Sequence, residues 1–191
     1  VVVLMADLCS FSSYVRDTPD DQVVRDCLTS FYSKARFEVI DSGGMMYQFV
    51  GDEIIAMFGV PDDGEPHVEA ALRCAAALVD IGNSVSNEWQ RRIDRVQERR
   101  GVHIGMAMGD VRIVSHRPFS RSHFGAVADE LNLAARLTAV AGPSEVVASN
   151  TVYQGLPHEL QEAFEALEPI EARNLGMVNA WRLPGAAGSR R

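Results

Sequence analysis

Two aspartates stand where their carboxylates could bind a metal ion together. Asp7 ends the β-branched apolar run that starts at Val1, and Asp52 lies in a Gly-Asp turn between two further apolar runs. If the strands that these runs predict are neighbours, both carboxylates lie at the same edge of a sheet. Two hard oxygen ligands at one edge suit Mg²⁺ or Mn²⁺. Each aspartate taken alone is better explained as the acid of a tight turn or a cap.

The segment that follows Asp7 has the composition of a phosphate-binding loop. Its residues Cys9, Ser10, Phe11 and Ser12 are mostly small. Small side chains let successive backbone N–H groups wrap a phosphate chain. We therefore expect these four residues to wrap a phosphate chain carried by the metal ions that Asp7 binds.

A second polar pair lies on a predicted helix. Asn132 and Arg136 are four residues apart, so they share one helix face, next to the apolar face of Leu133 and Leu137. An amide and a guanidinium side by side suit a sugar oxygen and a phosphate. From the spacing alone, an ordinary solvated helix face is the better explanation of this pair.

Apolar patterns predict the elements that would position these residues. β-branched or alternating runs predict strands over residues 1–7, 45–50, 54–58, 101–108, 111–114, 145–149 and 179–183. Helical spacing predicts a helix capped by Thr18 with Pro19 in its first turn, a long helix from Pro66, and a helix over Asp129–Val140. Because hairpins interrupt the alternation of strands and helices, we predict an α+β fold with helices packed on a sheet.

Composition and charge restrict the partners. The 191 residues carry a formal net charge of −8, which argues against binding to nucleic acid duplexes but leaves a nucleotide ligand open. No apolar run approaches the roughly 20 residues of a membrane helix, so we expect no membrane association. Cys9, Cys27 and Cys74 are odd in number and widely spaced, and they indicate a reducing, cytoplasmic setting without disulfides or zinc.

The length suits a single domain. We expect residues 1–184 to fold as one unit and the Gly-rich, Arg-ended residues 185–191 to form a disordered tail. Because residue 1 already lies in a strand-like run, we also expect a further N-terminal segment in the full protein.

Three ordered segments carry recognisable motifs. Residues 6–12 read Ala-Asp-Leu-Cys-Ser-Phe-Ser, residues 43–58 run from Gly-Gly through Gly-Asp to Phe, and residues 131–137 read Leu-Asn-Leu-Ala-Ala-Arg-Leu. Together they resemble the signatures of the class III nucleotidyl cyclases, the family of adenylyl and guanylyl cyclase catalytic domains. Three signatures in order over most of the chain are far more specific than a single glycine motif.

The resemblance implies a fold and an activity. The fold would be a ferredoxin-like, palm-type sheet rich in antiparallel pairs, in a head-to-tail homodimer, with residues 1–184 as the catalytic domain. Asp7, Asp52 and the backbone of Leu8 would bind two divalent metal ions, Mn²⁺ or Mg²⁺. Asn132 would orient the ribose, and Arg136 would stabilise charge on the phosphates in the transition state. A nucleoside triphosphate would be cyclised to a 3′,5′-cyclic nucleotide. In this family, the two acids and the Asn/Arg pair of one active site come from different subunits. A monomer should therefore be inactive.

The positions that read the base depart from the family pattern. Gln48 stands where adenylyl cyclases carry Lys, Gly125 stands where they carry Asp or Thr, and the Glu and Cys that read guanine are absent. The Gln48 amide both donates and accepts, which suits uracil or cytosine edges, and Tyr47 could add bulk to the pocket. Strand alternation predicts that only one of Tyr47 and Gln48 points into a given pocket.

Three accounts of the base positions remain open. The Asp-Leu-x-Ser-Phe-Ser opening and the Tyr-Gln pair resemble the pyrimidine cyclases of bacterial antiphage signalling systems, which favours a pyrimidine, UTP first. Gln48 could instead read adenine, as in noncanonical adenylyl cyclases that carry Gln at this position. The domain could also be a regulatory nucleotide-binding module, although the complete set of two acids, Asn132 and Arg136 argues against it.

Three further features give weaker indications of function. His103 lies on a predicted strand and is expected to be packed rather than catalytic. Arg173 lies close to where the family commonly has a phosphate-contacting Lys. A basic stretch that fits either a phosphate contact or a solvated hairpin comprises Arg112, His116, Arg117, Arg121 and His123.

Overall fold

The computed structural model of the protein describes residues 1–61, 67–116, 123–172 and 175–185. The strands are β1 Val2–Leu8, β2 Met45–Val50, β3 Glu53–Phe58, β4 Val102–Met108, β5 Arg112–His116, β6 His123–Val127, β7 Val146–Ser149, β8 Glu165–Ala166, β9 Ile170–Ala172, β10 Gly176–Val178 and β11 Ala180–Leu183. The helices are α1 Phe11–Asp17, α2 Asp21–Asp41, α3 Val68–Ile93, α4 Asp129–Val140, α5 Asn150–Gln154 and α6 His158–Gln161.

Seven of the strands form one sheet in the order β2-β3-β1-β4-β7-β11-β8. All neighbours in it are antiparallel except β4 and β7, which are parallel. The strand pairs β5–β6 and β9–β10 form two separate two-stranded sheets. The prediction of an α+β fold with an antiparallel-rich sheet is therefore confirmed.

The two faces of the sheet are covered by different helices. Along β1, Leu4 and Ala6 point into a large apolar core that includes residues of α2 and α3. The alternate residues Val3 and Met5 pack in a second core with Ala134 and Leu137 of α4. Because side chains alternate along a strand, Asp7 lies on the same face as Val3 and Met5, which is the α4 face.

A third, smaller cluster lies under α1, at the end of the long helix α3. It contains the buried side chains of Tyr14, Cys27 and Trp89, with Phe11 and Ile93 among those packed against it. This cluster joins α1 to α2 and α3.

Among the helices of the described residues, none is long and apolar enough to cross a membrane.

Some predicted boundaries are wrong for local reasons. Thr18 does not begin α2 but ends α1, where its N–H donates to the carbonyl of Val15. The cap of α2 is Asp20, whose carboxylate accepts from the N–H of Gln22. Pro66, Arg117, Arg121, Arg173 and residues 186–191 lie outside the described residues, so the predictions made for them stay predictions.

Candidate active site

Asp7 and Asp52 meet at the edge of the sheet where β1 ends and β3 begins. Asp7 lies opposite Glu53, the residue that follows Asp52. Gly51 has φ 62°, a left-handed conformation that favours glycine, and this lets the chain reverse tightly between β2 and β3. A hydrogen bond joins the two Asp carboxyl groups. The fold thus brings the two acids into the contact that a shared metal site requires.

Burial and mutual repulsion weaken the acidity of this pair. Burial, the hydrogen bond with Asp7 and the charge of that carboxylate raise the pKa of Asp52 to about 7. Burial also raises the pKa of Asp7, although its hydrogen bond with Asp52 opposes the rise. The neighbouring Glu53 has its pKa raised by burial and by the charge of Asp52. Without a counter-ion, the pair therefore keeps a proton to a higher pH than an isolated aspartate does.

The donor set of the acid pair fits Mg²⁺ or Mn²⁺. Within the described ranges there is no group of three or more His, Cys, Asp or Glu side chains that could hold a metal ion. Mg²⁺ is commonly bound by only one or two carboxylates, with substrate phosphates and water completing its shell. A divalent cation at Asp7 and Asp52 would also relieve the repulsion that raises their pKa values. The Leu8 side chain is buried in the core, and its main-chain N–H lowers the pKa of Asp7, against the effect of burial.

His103 lies beside the acid pair, a position that the sequence analysis did not predict. It lies directly opposite Asp7 in the pairing of β1 with β4, on the same face of the sheet. Its Nδ1 lies 2.8 Å from the carbonyl oxygen of Ala141, and the nearby imidazole slightly opposes the rise in the pKa of Asp52. The expectation that His103 is merely packed is therefore incomplete, since the half-buried ring lies beside the acids. The strand pairing that exposes this relationship cannot be read from the local sequence.

The expected phosphate-binding segment is only partly available to a ligand. Cys9 is fully buried, burial raises the pKa of its thiol to about 12, and its N–H donates to the carbonyl of Gly101 at 3.0 Å. The assignment of Cys9 as a phosphate contact is corrected for this reason. Phe11 and Ser12 begin α1, and N–H groups in the first turn of a helix have no intrahelical acceptor. Ser10 precedes them with φ 59°, which turns the chain sharply into the helix.

The helix α4 presents Asn132 and Arg136 on its exposed side. The helix packs so closely on the sheet that a side chain at Gly105 of β4 would clash with it. A Cβ atom built at Gly105 would lie only 2.3 Å from the carbonyl oxygen of Ala134. Arg136 donates from Nε to the carbonyl of Glu171 in β9 at 3.1 Å, which leaves the terminal guanidinium nitrogens for a ligand. Asn132 lines an open cavity of about 440 Å³ together with Arg112 and three acidic residues, Asp110, Asp129 and Glu130.

The three expected base-reading residues come from β2 and β6. The pairing of β2 with β3 shifts register between Met46 and Gln48, so Tyr47 is the extra residue of a β-bulge. Gln48 lies opposite Ile55, and both Ile55 and Tyr47 belong to the α4-side core. The bulge therefore corrects the expectation that only one of Tyr47 and Gln48 can face that side. The Tyr47 hydroxyl accepts a hydrogen bond from the N–H of Ala126 at 2.8 Å, next to Gly125.

This arrangement of an acid pair at a sheet edge and an Asn/Arg helix face on an α+β fold defines the class III nucleotidyl cyclases. Residues 1–184 match the family described as the adenylate and guanylate cyclase catalytic domain. The chain belongs to this family, and the resemblance noted from its motifs is confirmed.

Curated relatives are moderately similar in sequence. An uncharacterised protein of Mycobacterium tuberculosis is 29% identical over 157 residues, which are 81% of this chain and 26% of that protein. Adenylate cyclase 1 of Rhizobium meliloti is 28% identical over 139 residues, which are 72% of this chain and 20% of that protein. The chain thus spans between a fifth and a third of the length of the curated relatives that it matches.

Solved structures share the fold at lower identity. The guanylyl cyclase Cya2 superimposes with a TM-score of 0.82 at 18% identity, covering 100% of this chain and 94% of that one. The adenylyl cyclase CyaB from P. aeruginosa gives a TM-score of 0.81 at 19% identity with the same coverage. At these identities the likeness concerns the fold, and the base that this chain would cyclise does not follow from it.

Proposed function

We propose that residues 1–184 form a catalytic domain that converts UTP into 3′,5′-cyclic UMP and pyrophosphate. The observation that carries the choice of base is the bulged Tyr47, which extends from β2 to the main chain beside Gly125. Because its hydroxyl is engaged by Ala126, the ring forms a fixed wall between β2 and β6. Such a wall leaves less room for a purine than for a single ring. The amide of Gln48 is exposed beside it and can pair with the donor and acceptor edge of uracil.

The acid pair and α4 would divide the chemistry between them. Divalent metal ions held by Asp7 and Asp52, with the main chain of Leu8, would activate the ribose 3′-hydroxyl and neutralise the triphosphate. Phe11 and Ser12 would bind phosphate oxygens through their main-chain N–H groups. Asn132 would orient the ribose, and the free nitrogens of Arg136 would stabilise negative charge that develops as the 3′-oxygen attacks the α-phosphorus.

The complete site would form between two copies of the chain. In one protomer the acids contact each other, while Arg136 is held by Glu171 of its own β9. The β5–β6 and β9–β10 hairpins leave Val127 and Met177 61% and 65% exposed, which suits burial against a second copy. A structural neighbour at 19% identity and TM-score 0.69 is described as a non-canonical dimeric guanylyl cyclase domain from Blastocladiella emersonii, so dimers occur with this fold in more than one arrangement. A head-to-tail homodimer accounts for these features.

Adenylate cyclisation is the second candidate. Adenylate cyclase 1 of Rhizobium meliloti is among the relatives, and an amide such as that of Gln48 can also pair with adenine. The signalling role in antiphage defence rests on the resemblance of the opening motif and the Tyr-Gln pair alone, and it belongs to the UTP proposal.

The test is direct identification of the product. The purified protein is incubated with Mn²⁺ and with ATP, GTP, CTP or UTP, and any cyclic nucleotide is identified by mass. We expect cyclic UMP to dominate, to disappear in Asp52→Asn, and to persist in the matched surface variant Asp41→Asn. Dominant cyclic AMP would replace the proposal with the second candidate. Absence of product with all four nucleotides would indicate a regulatory binding module.

A further inference from the structure

Helix α1, which begins with Phe11 and Ser12 of the proposed phosphate-binding segment, packs against the indole of Trp89. Trp89 of α3 is 1% exposed. Its ring stacks on Tyr14 with centroids 5.0 Å apart and meets the ring of Phe11 edge-on at 6.1 Å. Phe11 is the first residue of α1 and belongs to the proposed phosphate-binding segment. The indole therefore touches the helix at the end that would face the triphosphate.

A buried hydrogen-bond relay fixes the other end of α1 to the same indole. Trp89 donates from Nε1 to the hydroxyl oxygen of Thr18 at 2.9 Å. The Thr18 hydroxyl donates in turn to the carbonyl of Tyr14 at 2.6 Å. Thr18 is itself buried, so both groups depend on this relay to satisfy their hydrogen bonds. One side chain thus contacts α1 at its first residue, at Tyr14 and at the residue that follows the helix.

The chain that follows α3 strengthens this attachment. Gly101 donates its N–H to the Ser86 hydroxyl at 3.0 Å and accepts at its carbonyl from the N–H of Cys9. Asp17, the last residue of α1, accepts from the amide of Gln97 at 3.0 Å. The C-terminal half of α3 and residues 94–101 therefore hold both ends of the segment from Cys9 to Asp17. This segment packs on the small cluster around Trp89.

We propose that Trp89, acting through Thr18, is a positioning residue for triphosphate binding: it holds α1 so that the N–H groups of Phe11 and Ser12 meet the phosphates. The inference rests on the proposed function, because it takes the start of α1 as the phosphate-binding segment. It predicts that the indole N–H affects substrate affinity rather than the chemical step. An interaction made equally in the ground state and the transition state changes KM and leaves kcat alone.

The chain offers a closely matched control, since it contains two tryptophans. Trp181 stacks on Tyr153 at 3.6 Å and donates from Nε1 to Asn150, away from α1. Trp89→Phe and Trp181→Phe therefore each keep a stacked ring and lose one indole donor. Thr18→Val removes the relay hydroxyl, whereas Thr18→Ser keeps it.

The first measurement is amide hydrogen exchange over residues 11–18 without substrate. We expect about tenfold faster exchange there in Trp89→Phe and Thr18→Val and no change in Trp181→Phe or Thr18→Ser. Equal exchange in Trp89→Phe and wild type would overturn the anchoring role of the indole. This readout does not depend on any catalytic activity.

The second measurement is steady-state kinetics at saturating Mn²⁺ with the nucleotide that the wild type cyclises. We expect KM to rise about fivefold in Trp89→Phe and Thr18→Val, with kcat within about twofold and no further loss in the double variant. Equal KM values in Trp89→Phe and Trp181→Phe, or a loss in kcat alone, would contradict the inference.

Failure of the proposed function would give a different result. If the wild type cyclises no nucleotide, binding of inorganic tripolyphosphate with Mn²⁺ is measured by calorimetry instead. Binding about fivefold weaker in Trp89→Phe than in Trp181→Phe would support the positioning role without cyclase activity. If the wild type does not bind tripolyphosphate, or both variants bind it equally, the inference is overturned.

Discussion

The main-chain N–H of Ala126 donates to the hydroxyl of Tyr47 at 2.8 Å, and this contact ties the edge strand β2 to the β5–β6 hairpin. It depends on the β-bulge at Tyr47, which turns the side chain toward the α4 side of the sheet. One aromatic ring thereby limits the space beside Gly125, where related cyclases place a residue that reads the base. The contact gives the question of base preference a specific structural test.

Tyr47→Ala should relax the base preference. Removing the ring opens space for a purine, so we expect the ratio of kcat/KM for ATP to that for UTP to rise about tenfold. Tyr47→Phe keeps the ring and loses only the acceptor for Ala126, so its ratio should stay within about threefold of wild type. A ratio unchanged in Tyr47→Ala would remove Tyr47 from the base pocket.

The acid pair should make the metal-free protein less stable as the pH rises. Asp52 has a folded-state pKa of about 7, above its ordinary value of 3.8, so the folded state binds more protons between these values. Unfolding free energy must then decrease from about pH 4 to about pH 7. With EDTA present, we expect Tm to be lower at pH 8 than at pH 5.5.

The variant Asp52→Asn separates this effect from other titrations. It cannot ionise at position 52, so its Tm should fall less over the same pH range and should exceed that of wild type at pH 8 in EDTA. Mn²⁺ should raise the Tm of wild type at pH 8 more than that of the variant. Parallel pH profiles for the two proteins would show that the carboxyl contact does not govern their stability.

Ser10→Gly should stabilise the fold. Ser10 has φ 59°, where a residue with a Cβ atom is disfavoured by roughly 1 kcal/mol. Glycine loses more entropy on folding, so we expect a net gain of about 0.5 kcal/mol, measured by urea unfolding. Ser33→Gly, at an exposed position inside α2, should instead lose about 0.5 kcal/mol. Destabilisation by both substitutions would show that the Ser10 conformation is not strained.

Tyr32→Phe should weaken the metal site without changing the core. The Tyr32 hydroxyl donates to the carbonyl of Gly51, the residue before Asp52. The centroids of the Tyr32 and Phe49 rings are 4.6 Å apart. Phenylalanine keeps the ring contact and frees the turn. We expect half-maximal activation to require about threefold more Mn²⁺. Tyr153→Phe, which alters a ring stacked on Trp181, should leave that concentration unchanged.

Most elements could be predicted because their apolar patterns are complete within one segment. Asp129–Val140 and Met45–Val50 are predicted and observed with the same boundaries. The apolar pattern also indicates that Asp7 and Asp52 can meet. Asp7 lies near the end of β1, Asp52 directly precedes β3, and these two strands are neighbours in the sheet. The class of the protein was therefore readable from its motifs.

The features that could not be predicted depend on contacts between segments that are distant in the sequence. The bulge at Tyr47 arises from the pairing of β2 with β3, and the position of His103 arises from the pairing of β1 with β4. Thr18 carries an ordinary capping residue type, but the indole of Trp89, 71 positions away, uses its hydroxyl. No local pattern encodes these partners, which is why the sequence placed Thr18 in the wrong helix and left His103 without a role.

The central claim is that the acids of one chain act with the Asn132 and Arg136 of another. Mixing Asp52→Ala chains with Arg136→Ala chains tests it most directly, because a mixed dimer would contain one site with all residues intact. We expect each variant alone to be inactive and the mixture to recover roughly a quarter of wild-type cyclic nucleotide production. A mixture as inactive as its two components would contradict a site shared between subunits.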